Sequence, residues 1–343
     1  MSVTARTLRP WLRFGVLLAV VAVAVWLFFD GFDVSGFVAR LTGANILYIA
    51  LAIFVYSVSW PLRGARYSDI LDRIGHVCST VAMTGAVFVS QTTNLVFPAR
   101  AGDGARAYIV KKRNGVPYTA GAASLTAERF LDLVAVLALG GVGLVLTLVA
   151  SGGFEPTRRN DALLFAAAVG AVTVAVLAGI YLVRGTGSRL RGREGDGRLD
   201  EVLRGVGEFM NDLGAVFDDR HGILRLMGTS LVIWLLDVAT CVVVFYALGV
   251  GFEGIVAVSL LAVSVGNLAK VVPATPGGIG LYEAGFAAVV VGATGVGWEA
   301  AVAVAVLDHA LKNGVTVVGG VVSAVILNVS LTSPAEADIE TEA

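Results

Sequence analysis

Long apolar runs separated by short polar breaks dominate this chain. A helix that crosses a bilayer needs about 20 mainly apolar residues. Runs near that length lie at about 12–29, 45–60, 130–150, 162–183, 226–250 and 299–327. Two more apolar stretches, 77–97 and 255–272, end in Pro- and Gly-rich sequence, and a short apolar piece at 281–293 follows the second. This pattern predicts an all-α polytopic membrane protein with about six full spans plus two re-entrant helical hairpins. The first run follows Arg6, Arg9 and Arg13, as a signal peptide would. It ends Trp26-Leu-Phe-Phe29-Asp30 without a small-residue cleavage pattern, and is therefore read as a retained helix.

Lys and Arg in short loops orient the spans. The arginine-bearing amino terminus, the loop with Arg63, Arg66 and Arg73, and the cluster Arg100, Arg106, Lys111, Lys112 and Arg113 all belong on the cytoplasmic side by this rule. Only 77–97 separates the last two basic groups, which is too short to cross twice. A hairpin turning near residues 98–104 resolves the conflict. Loop 184–225 carries Leu199, Val202, Leu203, Val206, Phe209, Met210 and Leu213 at helical spacing, an amphipathic helix for the membrane surface or the cytoplasmic face of the bundle. The expected organisation is one transmembrane domain over 1–330, with halves 12–150 and 162–328 of opposite topology, then an acidic disordered tail at 331–343. The location is the cell membrane, with both termini cytoplasmic.

Charge then changes the picture. Hydrophobic residues make up 57% of the 343 and charged residues 15%, against about 25% in soluble domains. Several charges nevertheless fall inside apolar runs, where each costs roughly 2.5–3.5 kcal/mol on insertion scales. They form two similar sets. The first reads Asn94-Leu95-x-x-Pro98-x-Arg100-x-Gly102, then Glu128-Arg129-x-x-Asp132. The second reads Asn267-Leu268, Pro273-x-x-x-Gly277, then Asp308-His309-x-x-Lys312. Glycine follows proline at the same offset, and the ionisable residues share one spacing. Repeated, interrupted apolar segments with such charges mark midplane transport sites.

Each set also has a plainer reading. Glu128, Arg129 and Asp132 fit the first turns of a helix begun at Ser124 or Thr126. Asp308 and Lys312, four apart, fit a private ion pair. The alternative brings both triplets to one site, with Asp132 facing Lys312 and Arg129 facing His309 so that a cation can hold a lipid phosphate. Around the hairpins, Arg106 suits a phosphate or the solvated surface, Asp103 an N-cap. Thr275 and Pro276 suit a helix restart whose amides attract anions. Gly277 and Gly278 suit that turn or close helix packing, and Glu283 is a second charged site residue. Gln91, Asn94 and Asn267 suit backbone capping. Asp237 is an unpaired acid within a span, with Lys270 as a candidate partner. Two isolated cysteines and three scattered histidines give no metal set.

The pieces Asn94-Leu-x-x-Pro98-x-Arg100-x-Gly102-Asp103-x-x-Arg106, Glu128-Arg129-x-x-Asp132 and Pro273-x-x-Pro276-Gly277-Gly278-Ile279-Gly280-x-x-Glu283 resemble the flippase-like membrane domain family, the transmembrane region of lysylphosphatidylglycerol synthases. The resemblance covers the whole chain. It implies a domain with re-entrant helices that moves or binds lipids between leaflets, with an anionic or phosphate-bearing lipid as partner. The family often has arginine where His309 stands here, a titratable group in place of a fixed charge.

The leading expectation is thus a lipid translocator or lipid-binding transporter for a phospholipid or polyprenyl-phosphate-type lipid. Its site comprises Arg100, Asp103, Arg106, Glu128, Arg129, Asp132, Pro273, Gly277, Gly278, Glu283, Asp308, His309 and Lys312. A scaffold for a membrane-bound synthase or glycosyltransferase is the alternative. An intramembrane head-group enzyme, with Glu128 or Asp132 as base and His309 as acid, comes third. With no nucleophile elbow or metal motif, no enzymatic activity, cofactor, metal or nucleic-acid partner is expected.

Overall fold

The computed structural model describes residues 32–97, 100–150, 197–271 and 275–329, with isolated positions 167, 171, 178 and 179. The runs at 12–29 and 162–183, Pro98, Pro273 and the acidic tail lie essentially outside the described residues. Among the described residues there are ten α-helices and no strand. They are α1 (Val34–Thr42), α2 (Ile46–Arg73), α3 (Thr80–Val96), α4 (Ala101–Asn114), α5 (Tyr118–Ala150), α6 (Arg198–Val216), α7 (Arg220–Ala247), α8 (Ile255–Ala269), α9 (Leu281–Thr294) and α10 (Trp298–Ile326).

Four of them, α2, α5, α7 and α10, are long and apolar enough to cross a membrane. Helices α3, α4, α8 and α9 have 17, 14, 15 and 14 residues, short of the length a crossing needs. They come as two packed pairs, α3 with α4 and α8 with α9, over the stretches read as hairpins.

Two spans begin or end elsewhere than the apolar pattern indicates. The run at 45–60 ends at Pro61, yet α2 continues through Pro61 to Arg73. Arg63 and Arg66 are therefore helix residues rather than loop charges, and Arg66 is only 2% exposed. Likewise α5 starts at Tyr118, so Glu128, Arg129 and Asp132 sit about three turns inside it and do not cap it. In both cases tertiary partners for the charges extend the helix past the end of the apolar run.

The turns differ as well. Arg100, not Asp103, is the N-cap of α4, and it holds a left-handed backbone (φ 56°) that side chains other than glycine seldom adopt. Helix α9 begins at Leu281 after a 3₁₀ turn over Pro276–Gly278, so Thr275 and Pro276 do not start it. Thr275 Oγ1 instead donates to the Ile279 carbonyl (2.8 Å). The amphipathic helix is present as α6. Its carboxyl-terminal face, Leu213 and Val216 with Phe217 beyond, is buried against Ile70, Ala123, Ala127, Leu131 and Leu226, while Leu199 and Val202 face outward.

Long helices alternate with short pairs in the packing. Helix α2 lies along α7, α5 lies along α8, and α10 lies along α3. Small residues make the approaches close, as in membrane helix contacts generally. Ala300 to Ala305 of α10 are all buried, with two valines among the four alanines. In the first pair, a Cβ on Gly102 would overlap the Ser90 carbonyl of α3.

Replacing Gly102 by leucine should therefore force α3 and α4 apart and destabilise the protein by about 1–3 kcal/mol or more. Gly104→Ala, where a Cβ meets nothing within 4 Å, should be neutral. Thermal unfolding in detergent checks this, and equal melting temperatures for the two variants would contradict the close approach.

Candidate functional site

The charges inside the helices fall into two networks. In the first, Arg66 of α2 donates from Nη1 to Asp132 Oδ1 of α5 (2.6 Å) and to Ser230 Oγ of α7 (2.8 Å). Glu128 Oε2 accepts from Arg106 Nη1 (2.7 Å), and its other oxygen stands 3.8 Å from Arg66 Nη2. Arg106 is fully buried, with its guanidinium 4.9 Å from the Tyr67 ring centre. Arg129 Nη2 donates to Asp103 Oδ1 (2.8 Å), which also accepts from Asn94 Nδ2 (3.2 Å). Asn94 Oδ1 in turn accepts from the Gly102 amide (2.8 Å). That amide is one of the free donors at the start of α4, so Asn94 ties the first turn to the end of α3.

In the second network, Lys312 of α10 donates to Asp237 Oδ1 of α7 (2.7 Å) and lies 2.8 Å from Asp308 Oδ2. Asp308 Oδ2 also accepts from the Tyr282 hydroxyl (2.6 Å). His309 Nδ1 contacts Glu283 Oε1 at 2.6 Å, and Glu283 Oε2 accepts from the Gly280 amide (2.7 Å). Glu283 therefore closes the start of α9 and fixes the imidazole at once. Asp308, His309 and Lys312 are all buried. Burying an ion pair is tolerable only when partners are close and well aligned.

The two networks meet at a cavity of about 440 Å³. Of the residues read as a site, Arg100, Arg129, Asp132, Gly277, Gly278, His309 and Lys312 line it. Asp103, Arg106, Glu128, Glu283 and Asp308 stand behind them, as partners or as buried supports, and Pro273 lies outside the described residues. The direct pairings Asp132–Lys312 and Arg129–His309 are not formed, because each group has a nearer partner: Arg66 for Asp132, Asp237 for Lys312, Asp103 for Arg129 and Glu283 for His309. Asp308–Lys312 is a real pair but not a private one, since Asp237 shares the lysine. Lys312, rather than Lys270, is the partner of Asp237.

Gly277 and Gly278 both have positive φ (63° and 74°). A Cβ on Gly278 would run into the Lys270 side chain, so the turn leaves room for that lysine to reach the cavity wall. Lys270 was read only as a partner for Asp237, and Arg63 only as a loop charge. Both line the cavity, as do Trp234, Tyr56 and Tyr282. The Arg63 guanidinium lies 5.8 Å from the Trp60 ring centre and 5.9 Å from that of Trp234. Lys270 Nζ lies 4.6 Å from the Tyr282 ring centre. The sequence carried a signal for them: a lysine inside the Pro/Gly break, and an arginine one turn after a tryptophan. No group of three or more metal-ligating side chains occurs among the described residues.

Removing Glu128 should leave Arg106 buried without its carboxylate. Glu128→Gln is expected to cost about 3–5 kcal/mol, and the double change Arg106→Met with Glu128→Met should recover much of that loss. Chemical unfolding of the purified variants reads both values. A stable single variant would mean that the pair is solvated.

Comparisons with known proteins bear on this site. The chain is 44% identical over 97% of its length to a Haloferax volcanii protein named glycosyltransferase AglD, and it spans 57% of that protein's length. It is 28% identical over 78% of its length to a Methanothermobacter thermautotrophicus UPF0104 membrane protein, covering 81% of that protein. A relative named a glycosyltransferase, matched along nearly the whole chain, overturns the expectation that enzymatic activity is foreign to it. The family described as the lysylphosphatidylglycerol synthase TM region matches residues 14–320, and the chain belongs to that family of multi-pass membrane proteins.

Proposed function

We propose that the cavity receives the head group of a phosphate-bearing lipid, and that the chain carries this lipid between leaflets in support of glycosyl or head-group transfer. The observation that carries the reading is the cavity lining. Arg63, Arg100 and Lys270 face it with no carboxylate partner among the described residues. Cations at membrane depth are costly unless something neutralises them. Leu95, Leu133, Val136, Leu268 and Val271 line the same space and suit the apolar part of a lipid.

The packing favours two halves of opposite topology. Helix α5 against α8 has its counterpart in α10 against α3, and α2 against α7 joins the halves. The ion pairs follow the same scheme. Arg66–Asp132 links α2 to α5, and Asp237–Lys312 links α7 to α10, the helix of the same rank in each half. Rocking one such half against the other around a fixed site is the usual means of alternating access. The short pairs α3–α4 and α8–α9 then act as re-entrant hairpins, their turns lining the cavity. The AglD name favours a lipid bound for, or returned from, a glycosyl-transfer step. That step belongs to this chain or to a membrane-bound glycosyltransferase or synthase beside it.

Native mass spectrometry of the purified protein, beside Arg129→Ala, tests the reading. One phosphate-bearing lipid class should co-purify with the wild type and be lost in the variant, whose melting temperature falls with the loss of the Arg129–Asp103 pair; Asp103→Asn, which weakens the same pair and leaves every cavity cation, should lower the melting temperature likewise and keep the lipid. Retention of the same mixed lipids by the wild type and Arg129→Ala would leave the charges as helix cross-links and end the lipid-site reading.

A further inference from the structure

Two of the cavity's cations are held in a way that leaves their charge unused. Arg63 lies against Trp60 and Trp234, and Lys270 lies against Tyr282. A ring face stabilises a cation through its quadrupole but has no net charge to cancel it. The Arg63 Nε is also buried without a hydrogen-bond partner. Two of these rings, Trp234 and Tyr282, are fixed by the networks behind them. Trp234 Nε1 donates to Asp132 Oδ1 (3.0 Å), and the Tyr282 hydroxyl donates to Asp308 (2.6 Å). Each cation thus rests on a positioned seat, one on α2 and the other where α8 ends.

The charge balance points the same way. Six carboxylates (Asp103, Glu128, Asp132, Asp237, Glu283 and Asp308) share the paired cations Arg66, Arg106, Arg129 and Lys312, together with His309. That set alone is slightly negative. Arg63, Arg100 and Lys270 turn it into a surplus of one positive charge, and of two when His309 is protonated. Arg100 sits at the rim, exposed and on a left-handed backbone.

We infer that Arg63 and Lys270 form a two-point clamp that selects a head group bearing two negative charges on phosphate, a phosphate monoester or a diphosphate, over singly charged and zwitterionic head groups. The inference rests on the lipid-site reading and deepens it. Arg63 offers a planar fork that takes two phosphate oxygens, and Lys270 offers a compact charge for a third. A zwitterionic head group brings a second cation into an already positive cavity. A monoanion fills one seat and leaves the other charged and desolvated.

The test uses the full chain in nanodiscs of phosphatidylcholine doped with phosphatidic acid or phosphatidylglycerol of identical acyl chains. Lipid retention is read by native mass spectrometry, with inorganic phosphate as a soluble competitor. Phosphatidic acid should be retained over phosphatidylglycerol by about ten-fold or more, the range one extra charge-assisted contact supplies. Arg63→Gln and Lys270→Gln should each bring that ratio close to one, while Lys270→Arg keeps most of it and Arg63→Lys, which keeps the charge but loses the fork, keeps only part. Melting temperatures show whether each variant folds, and the conservative pair carries the test if the glutamine variants do not. Equal retention of the two lipids by the wild type overturns the clamp while leaving a lipid site in place. An unchanged ratio in both glutamine variants overturns it as well. Displacement of phosphatidic acid by inorganic phosphate at equal concentration supports the clamp and assigns it to free phosphate, which removes the lipid reading instead.

Discussion

Every charge placed among apolar helices must find a partner, and here the partners lie on other helices. The interaction that the rest of the structure depends on is the cross-link from α2 to α5 through Arg66 and Asp132, matched by the one from α7 to α10 through Asp237 and Lys312. At low dielectric these contacts are strong only when short, and both are under 3 Å. They set how far each helix slides past its neighbour, since a shift of one turn separates the pair by about 5 Å. The sign is reversed between the two cross-links. The cation sits on α2 in one and on α10 in the other. Because α2 and α7 pack together, Arg66 and Asp237 stand on adjoining helices, yet each is already paired, with Asp132 and with Lys312. The bond from Arg66 to Ser230 and that from Trp234 to Asp132 then tie α7 to α2 and α5 without exchanging charges.

The same groups hold the short helix pairs. Asp103 joins Arg129 to Asn94, and Asn94 holds the Gly102 amide at the start of α4. Glu283 joins His309 to the Gly280 amide at the start of α9. In a bilayer these amides have no water to bond, so each turn relies on its carboxylate or amide. A ligand that draws Arg129 away from Asp103, or His309 away from Glu283, weakens the anchor of a turn. Binding energy and the position of each short helix pair would then be coupled through single side chains, reciprocally by linkage.

Much of this was legible in the sequence. The apolar runs gave the four long helices, and the Pro/Gly breaks gave the two short pairs. The repeated spacing of Glu128, Arg129 and Asp132 with Asp308, His309 and Lys312 singled out four residues that line one cavity, Arg129, Asp132, His309 and Lys312, and two that stand behind it. Span ends were less legible. A charge within apolar sequence reads as the end of a span unless its partner is known, and the partners of Arg66 lie 62 and 66 residues away at Glu128 and Asp132. Spacing along one helix also misled the pairing. Arg129 and Asp132 share a helix, but Arg129 turns to Asp103 and Asp132 to Arg66. Aromatic seats were the least visible. Nothing in the spacing of Trp60, Trp234 and Tyr282 marks them until the fold sets a cation over each.

The difference between a carboxylate partner and an aromatic one decides which cations can work on a ligand. Lys312 sits between two carboxylates at 2.7 and 2.8 Å, so a phosphate would have to break contacts already optimised. Lys270 has only a ring beneath it, at 4.6 Å. Asp237 and Asp308 still act on Lys270 through space, because one lysine does not neutralise both. Fixed pairs thus build the walls, and a cation held by a ring and a distant charge remains free to reach its ligand with little reorganisation. Arg63 is placed in the same manner between two tryptophans, so the two walls contribute equivalent tools from unrelated residues.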